Sequence, residues 1–184
     1  MIDGGCGFTT GFGLALHVDY AGPQLDAAVA FLRAHRGKVS PITLSIGVGD
    51  LLDADDCNLD PACIADNHVL QHIGKNLDHI LTALRQVAPD AEIIVLQQYD
   101  AFADTQPSSV EVWRQRNAVI GRVAAQHRAR VADAFAAFNG TGRICQLTFF
   151  CDEDDLHPTD TGYAVLARLF FQASGYDRLP HDHH

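Results

Sequence analysis

Pro41-Ile42-Thr43-Leu44-Ser45-Ile46-Gly47 is the stretch on which the fold turns: Ile42, Leu44 and Ile46 alternate with Thr43 and Ser45, and glycine closes the run. That period of two predicts a half-buried strand. A second run, Glu92-Ile93-Ile94-Val95-Leu96-Gln97, is apolar without alternation, β-branched and preceded by Ala88-Pro89-Asp90. This is the composition of a parallel strand buried on both faces. Arg130-Val131-Ala132-Asp133-Ala134-Phe135 offers a third strand, less sharply, because its alanines suit a helix equally well.

Helical patterns separate these runs. Residues 23–36 put Leu25, Val29 and Leu32 on one face; residues 61–87 carry Ile73, Leu77, Ile80, Leu81 and Leu84; residues 107–128 carry Val112, Val119, Ile120 and Val123. A last helix from near Pro158 runs through Tyr163, Val165, Leu166, Leu169 and Phe170, with Gly175 as its expected end. Alternating helices and strands predict a parallel sheet covered by helices, with any cleft at the carboxyl ends of the strands.

The chain has 184 residues, which we read as one domain over 1–184. Hydrophobic residues make up 47% and charged residues 20%, enough apolar side chain for a normal core. Lys and Arg total 13 against 23 Asp and Glu, and the net charge of -10 repels phosphate backbones and anionic lipid alike, so nucleic acid is excluded as a partner. No apolar run approaches the roughly 20 residues of a membrane helix. Met1-Ile2-Asp3-Gly4-Gly5 is neither basic nor apolar, so no signal peptide is expected in this chain.

Two stretches carry chemistry. In Cys151-Asp152-Glu153-Asp154-Asp155-Leu156-His157-Pro158-Thr159, Asp154 stands three residues before His157 in a loop that enters a helix. Its carboxylate can fold back onto one imidazole nitrogen and leave the other facing a cleft, which makes a general base. A bare Asp-x-x-His also fits an acidic helix start beside a surface histidine. In Ile46-Gly47-Val48-Gly49-Asp50-Leu51-Leu52, a strand runs into a glycine turn where backbone N–H groups can approach an oxyanion. A plain strand-to-loop turn would read the same way.

In this order, about 105 residues apart, the two pieces resemble blocks III and V of the SGNH (GDSL-type) hydrolases. The resemblance implies a flavodoxin-like α/β/α sandwich and the hydrolysis of carboxylic esters. Block III of that family, Gly-x-Asn-Asp, stands here as Gly47-Val48-Gly49-Asp50; block V is Asp154-Asp155-Leu156-His157-Pro158, continuing into Thr159-Asp160-Thr161-Gly162-Tyr163. The family's serine block and its second glycine block have no counterpart among the 46 residues before Gly47. The expected fold is therefore an N-terminally truncated SGNH type. Gly49 also replaces the asparagine whose side chain would donate to the oxyanion. The resemblance leaves His157 as base and Asp154 as its orienting partner, with Gly47, Gly49 and Asp50 binding substrate or oxyanion.

Five serines are present, and each reads as structural: Ser40, Ser45 within its strand, Ser108 and Ser109 as caps of a helix, and Ser174. Water activated by His157 is then the available nucleophile. The expected activity is a weak esterase acting on a small ester. A non-catalytic remnant that binds or assembles is the alternative.

Of five cysteines, four fall into two close pairs, Cys57 with Cys63 and Cys145 with Cys151; disulfides there would stiffen the cleft rim and point to an extracellular location. Cys6 is left as a free thiol. Neither C-x5-C spacing matches a zinc half-site, His68, His72 and His79 project away from the apolar stripe, and the run Asp53-Ala54-Asp55-Asp56-Cys57-Asn58 lacks the calcium-loop glycine and glutamate. No metal or cofactor is expected. In the resembling fold a first strand would pair beside Ile42 to Ile46; without it the exposed edge predicts a homodimer, unless residues 13–20 cover it.

Overall fold

Strand β2 (Ile93–Gln97) lies between β1 (Ile42–Leu44) and β3 (Arg130–Asp133), and both pairings are parallel. Its residues Ile93, Ile94 and Val95 are fully buried and Leu96 nearly so, as a run without alternation requires. The computed structural model describes residues 20, 22–52, 57 and 59–176. Segment 13–19, Cys6 and residues 53–56 and 58 of the acidic run lie outside them, so the expectations placed there are not addressed by it.

Because successive side chains of a strand point to opposite faces, β2 feeds two cores. Ile93 and Val95 join Leu32 of α1 (Gln24–Ala34), Ile73, Leu77, Leu81 and Leu84 of α4 (Val69–Val87), and Val112, Ile120 and Val123 of α5 (Ser109–Gln126). Ile94 and Leu96 join Ala134 and Phe138 of α6 (Ala134–Phe138) and Ile144 and Leu147 of α7 (Ile144–Leu147), against Val165, Leu166 and Leu169 of α9 (Asp160–Ser174). The result is an α/β/α sandwich on a parallel sheet. Each fully buried aliphatic side chain contributes about 1.5–3 kcal/mol.

Element boundaries depart from the sequence expectation in several places: β1 stops at Leu44, so Ser45 and Ile46 lie past the strand, and the chain after the glycine turn is helical at Val48–Leu52. The single helix expected over 61–87 is two, α3 (Pro61–Asp66) and α4, separated by Asn67 and by His68 in the left-handed region at φ 56°. Asn67 Nδ2 takes the Cys63 carbonyl at 3.0 Å, and Cys63 is bonded to Cys57; together these end α3 early. The third strand stops at Asp133, whose side chain accepts from Ala136 N at 2.9 Å and caps α6, so the alanines enter a helix. Two short helices, α7 and α8 (Phe150–Glu153), have no strong sequence pattern and are joined by the Cys145–Cys151 disulfide. His68, His72 and His79 are exposed. Among the described residues no group of three or more His, Cys, Asp or Glu is arranged to hold a metal, and no helix is long and apolar enough to cross a membrane.

Asp100, three residues past β2, is completely buried and fully engaged. Its Oδ2 accepts from Ser109 Oγ at 2.6 Å and its Oδ1 from Phe102 N at 2.9 Å, while Asn139 clasps its backbone with both atoms of its side-chain amide. Burial pushes the Asp100 carboxyl pKa up, against the hydrogen bonds from Ser109 and Phe102. A raised carboxyl means that the folded chain holds this proton more tightly than the unfolded one. The contribution to stability is complete below the ordinary carboxylate range and is lost as pH rises through the raised value. Asp100→Asn removes that loss: urea midpoints should shift progressively in favour of the variant as pH rises through this window, and a gap independent of pH would contradict the assignment.

Candidate active site

The glycine turn is shaped by what lies beneath it. Gly47 leaves β1 at φ 85°, a conformation that favours glycine, and a Cβ there would stand 3.3 Å from Ile73 Cγ2 and 3.4 Å from Arg116 Nη2. The chain then enters α2 (Val48–Leu52). Arg116 rises from α5 completely buried; Nη2 donates to the Ile46 carbonyl, Nε to the Gly47 carbonyl at 3.4 Å, and Nη1 to Asn117 Oδ1 at 2.9 Å. The guanidinium lies 5.5 Å from the Trp113 ring centroid. Burial pulls its pKa down to about 10, with Asp50 opposing, so it remains a cation at neutral pH.

Asp50, expected at the substrate, is turned towards α4, where Asn76 Nδ2 donates to its Oδ1 at 2.9 Å. Gly49 is exposed, and a Cβ there would meet nothing within 4 Å.

Two consecutive residues after β2 tie the turn to the histidine loop. Gln98 Nε2 donates to Ser45 Oγ at 2.8 Å, and the Gln98 backbone is held on both sides by the Asn117 amide. Tyr99 Oη donates to the Leu156 carbonyl at 2.6 Å, one residue before His157. The His157 carbonyl in turn accepts from Phe149 N at 3.0 Å, and Thr148 and Pro158 form an antiparallel bridge. Both expected pieces therefore belong to the carboxyl-end side of the sheet.

The imidazole's partner differs from the sequence expectation. Asp155 Oδ1, not Asp154, lies 2.5 Å from His157 Nδ1 and also accepts from His157 N at 2.9 Å. Asp154 ends α8 in the left-handed region at φ 54°, its N–H returning to the Phe150 carbonyl, and that reversal carries its side chain away. It lines an open depression with Ala101, Asp104, Ile144 and Phe150. Asp155 then closes a side-chain turn onto the residue two further on, a habit of short acidic side chains. The two hydrogen bonds from His157, backbone first, hold the Asp155 carboxyl below the usual carboxylate range. Its stabilising effect is thus present above that range and fades as pH falls through the lowered value. His157 is largely exposed, and Nε2 has no partner among the described residues.

Four of the five serines hold structural posts. Ser40 Oγ accepts from Glu92 N, Ser45 Oγ from Gln98, Ser109 Oγ donates to Asp100 and Ser174 Oγ to the Phe171 carbonyl. Ser108 stands at the N-cap of α5 without a side-chain cap bond, so the expected serine capping is not made. Sequence reasoning missed Arg116, although its spacing of four from both Val112 and Ile120 puts a cation on the apolar stripe of α5. Tyr99 and Asn117 carry no comparable signal.

The sequence profile of the GDSL-like lipase/acylhydrolase family matches residues 4–165. No curated protein matches the chain. Among solved structures, a tryptophan variant of Axe2, an acetyl xylan esterase from Geobacillus stearothermophilus, is similar at 22% identity and TM-score 0.54, over 80% of this chain and 68% of that one. LAE5, an alpha/beta hydrolase enzyme from the metagenome of Lake Arreo, Spain, is similar at 24% identity and TM-score 0.57, over 80% and 67%. Identities this low speak to the fold.

Replacing Arg116 with methionine leaves the Ile46 and Gly47 carbonyls without their donor, each at a cost of about 1–3 kcal/mol. Urea denaturation of Arg116→Met should show a loss of at least about 2 kcal/mol, and Gly47→Ala a loss of about 1–3 kcal/mol from strain at positive φ. Wild-type midpoints in both variants would contradict the account of the turn.

Proposed function

The chain belongs to the GDSL-like lipase/acylhydrolase family, and from that membership we propose that it hydrolyses small carboxylic esters with His157 as the base. The observation that carries the reading is the His157–Asp155 pair, with Nδ1 engaged and Nε2 available. Nε2 takes a proton from water as the water oxygen bonds to the ester carbonyl carbon. The carbonyl π electrons move to oxygen, and the N–H groups of Gly47 and Gly49 are the donors this reading assigns to that oxyanion. As the tetrahedral centre collapses, the carbon–oxygen bond to the alcohol breaks and the alkoxide recovers the proton from the imidazolium. The products are a carboxylic acid and an alcohol. Water is assigned as nucleophile because Ser40, Ser45, Ser109 and Ser174 are committed to structural hydrogen bonds, and Ser108, at the start of α5, makes no bond to His157. Asp155 orients the imidazole, Asp154 keeps the family's position at the rim, and Asp50 supports the turn through Asn76. Without a side-chain donor at Gly49 and without a covalent intermediate the rate is low.

Two further parts of the reading concern setting. The disulfides Cys57–Cys63 and Cys145–Cys151 support an extracellular location. Among the described residues β1 pairs only with β2, and a homodimer through its free edge would satisfy the remaining backbone groups.

Turnover of a short-chain p-nitrophenyl ester tests the chemistry. His157→Ala should lower the rate about 10²- to 10⁴-fold, and Asp155→Asn should cost more than Asp154→Asn. Gly49→Asn has room for its side chain and should raise kcat about tenfold or more by supplying an oxyanion donor. Equal rates for wild type and His157→Ala would overturn the mechanism, and no turnover in either would favour a binding or assembly module. For assembly, sedimentation equilibrium at micromolar concentration should give twice the 20.0 kDa chain mass; a monomer would reject the dimer.

A further inference from the structure

We propose that Tyr99 is a positioning residue for His157, its hydroxyl fixing the approach of the histidine loop to the end of β2. The inference rests on the reading of His157 as the base. Tyr99 Oη donates to the Leu156 carbonyl at 2.6 Å, the shortest covalent path to the histidine short of touching it. The peptide plane that carries this carbonyl also carries the His157 N–H, which Asp155 Oδ1 accepts at 2.9 Å. One peptide unit is therefore held from both sides, by a phenol on its carbonyl and by a carboxylate on its N–H. Rotation of that plane would break both bonds and move the imidazole with them, because ψ of Leu156 and φ of His157 are the only soft torsions that flank it.

The donor is itself rigid. Tyr99 is 8% exposed, and its ring stacks on Phe138 with centroids 4.4 Å apart and planes within 7°. Phe138 is completely buried in the core shared by β2, α6 and α7. Two residues of backbone link the ring to β2, so the hydroxyl is referred to the most deeply buried strand of the sheet. Burial, reinforced by the nearby Tyr163 and Asp155, pushes the phenol's pKa up, which keeps the hydroxyl a neutral donor. The loop it holds needs such an anchor: residues 151–154 are exposed, and His157 is largely exposed as well.

The groups around Tyr99 also separate this role from that of Asp155. Asp155 acts on the imidazole directly through Nδ1, whereas Tyr99 reaches only backbone. Loss of the phenol hydroxyl should leave the His157–Asp155 bond possible but its direction relative to the turn at Gly47 unset. Misplacement of a catalytic group by about 1 Å can cost up to about a hundredfold in rate.

Tyr99→Phe keeps the ring on Phe138 and removes the hydroxyl alone. With a short-chain p-nitrophenyl ester, kcat should fall about 10- to 100-fold with KM unchanged, and the variant's thermal midpoint should stay within a few degrees of wild type. In a His157→Ala background the same substitution should have no further effect on turnover. A second readout is independent of turnover: the imidazole resonances of His157 in a ¹H–¹⁵N correlation spectrum should shift and broaden in Tyr99→Phe, while those of His127, at the C-terminal end of α5 and paired with Asp78, should not. Unchanged kcat with a lowered midpoint would overturn the inference and leave Tyr99 a purely structural residue, as would unchanged His157 resonances. If His157→Ala turns over as fast as wild type, the esterase reading fails; the resonances alone then decide whether Tyr99 sets the loop.

Discussion

The buried Arg116 guanidinium is the constraint around which the carboxyl edge of the sheet is built. A cation removed from water must be matched by acceptors, and here they are the carbonyls of Ile46 and Gly47, the Asn117 amide oxygen and the face of Trp113. Those carbonyls belong to the turn that leaves β1, so the requirement to solvate the cation dictates the path of the chain there. The close approach of the guanidinium and of Ile73 leaves little room for a side chain at residue 47, and the positive φ there favours glycine independently, through the clash of a Cβ with its own backbone. Asp50 adds a longer-range compensating charge that Asn76 holds in place.

From that anchor the connections run across the sheet. Asn117, adjacent to Arg116, clasps Gln98; Gln98 reaches Ser45 at the end of β1; Tyr99 reaches the loop of His157. Two neighbouring residues of one strand end thus join segments more than a hundred positions apart in sequence. The histidine itself remains exposed, as the proposed base would have to be to reach an ester. An exposed contact of this kind adds little to stability, so in the proposed mechanism the Asp155–His157 hydrogen bond serves to orient the imidazole.

Much of the architecture was legible because it rests on periodicity. Ile93 to Leu96 reads as a strand buried on both faces from its β-branched composition and short length, and the helical stripes of Ile73, Leu77, Leu81 and Leu84 and of Val112, Ile120 and Val123 read as what covers it. The two cysteine pairs, six residues apart, were similarly readable. What escaped is local and polar. Nothing in the order Asp154-Asp155-Leu156-His157 says which carboxylate will turn back, because the choice depends on a left-handed residue at the end of α8. The division of the helix at Asn67 and His68 depends on a side-chain amide capturing one carbonyl. Arg116 was visible as a charge on an apolar stripe, but its acceptors lie some seventy residues earlier and only the folded chain brings them to it.

The proposed proton transfer at His157 during ester hydrolysis can be read in a single titration of the native protein. Carbethoxylation with diethyl pyrocarbonate, followed by peptide mass mapping, gives the modified fraction of His157 separately from the other histidines, and residual turnover of a short-chain ester is measured on the same samples. Turnover should fall in proportion to His157 modification and return when hydroxylamine removes the label. Turnover that survives complete modification of His157 would contradict it.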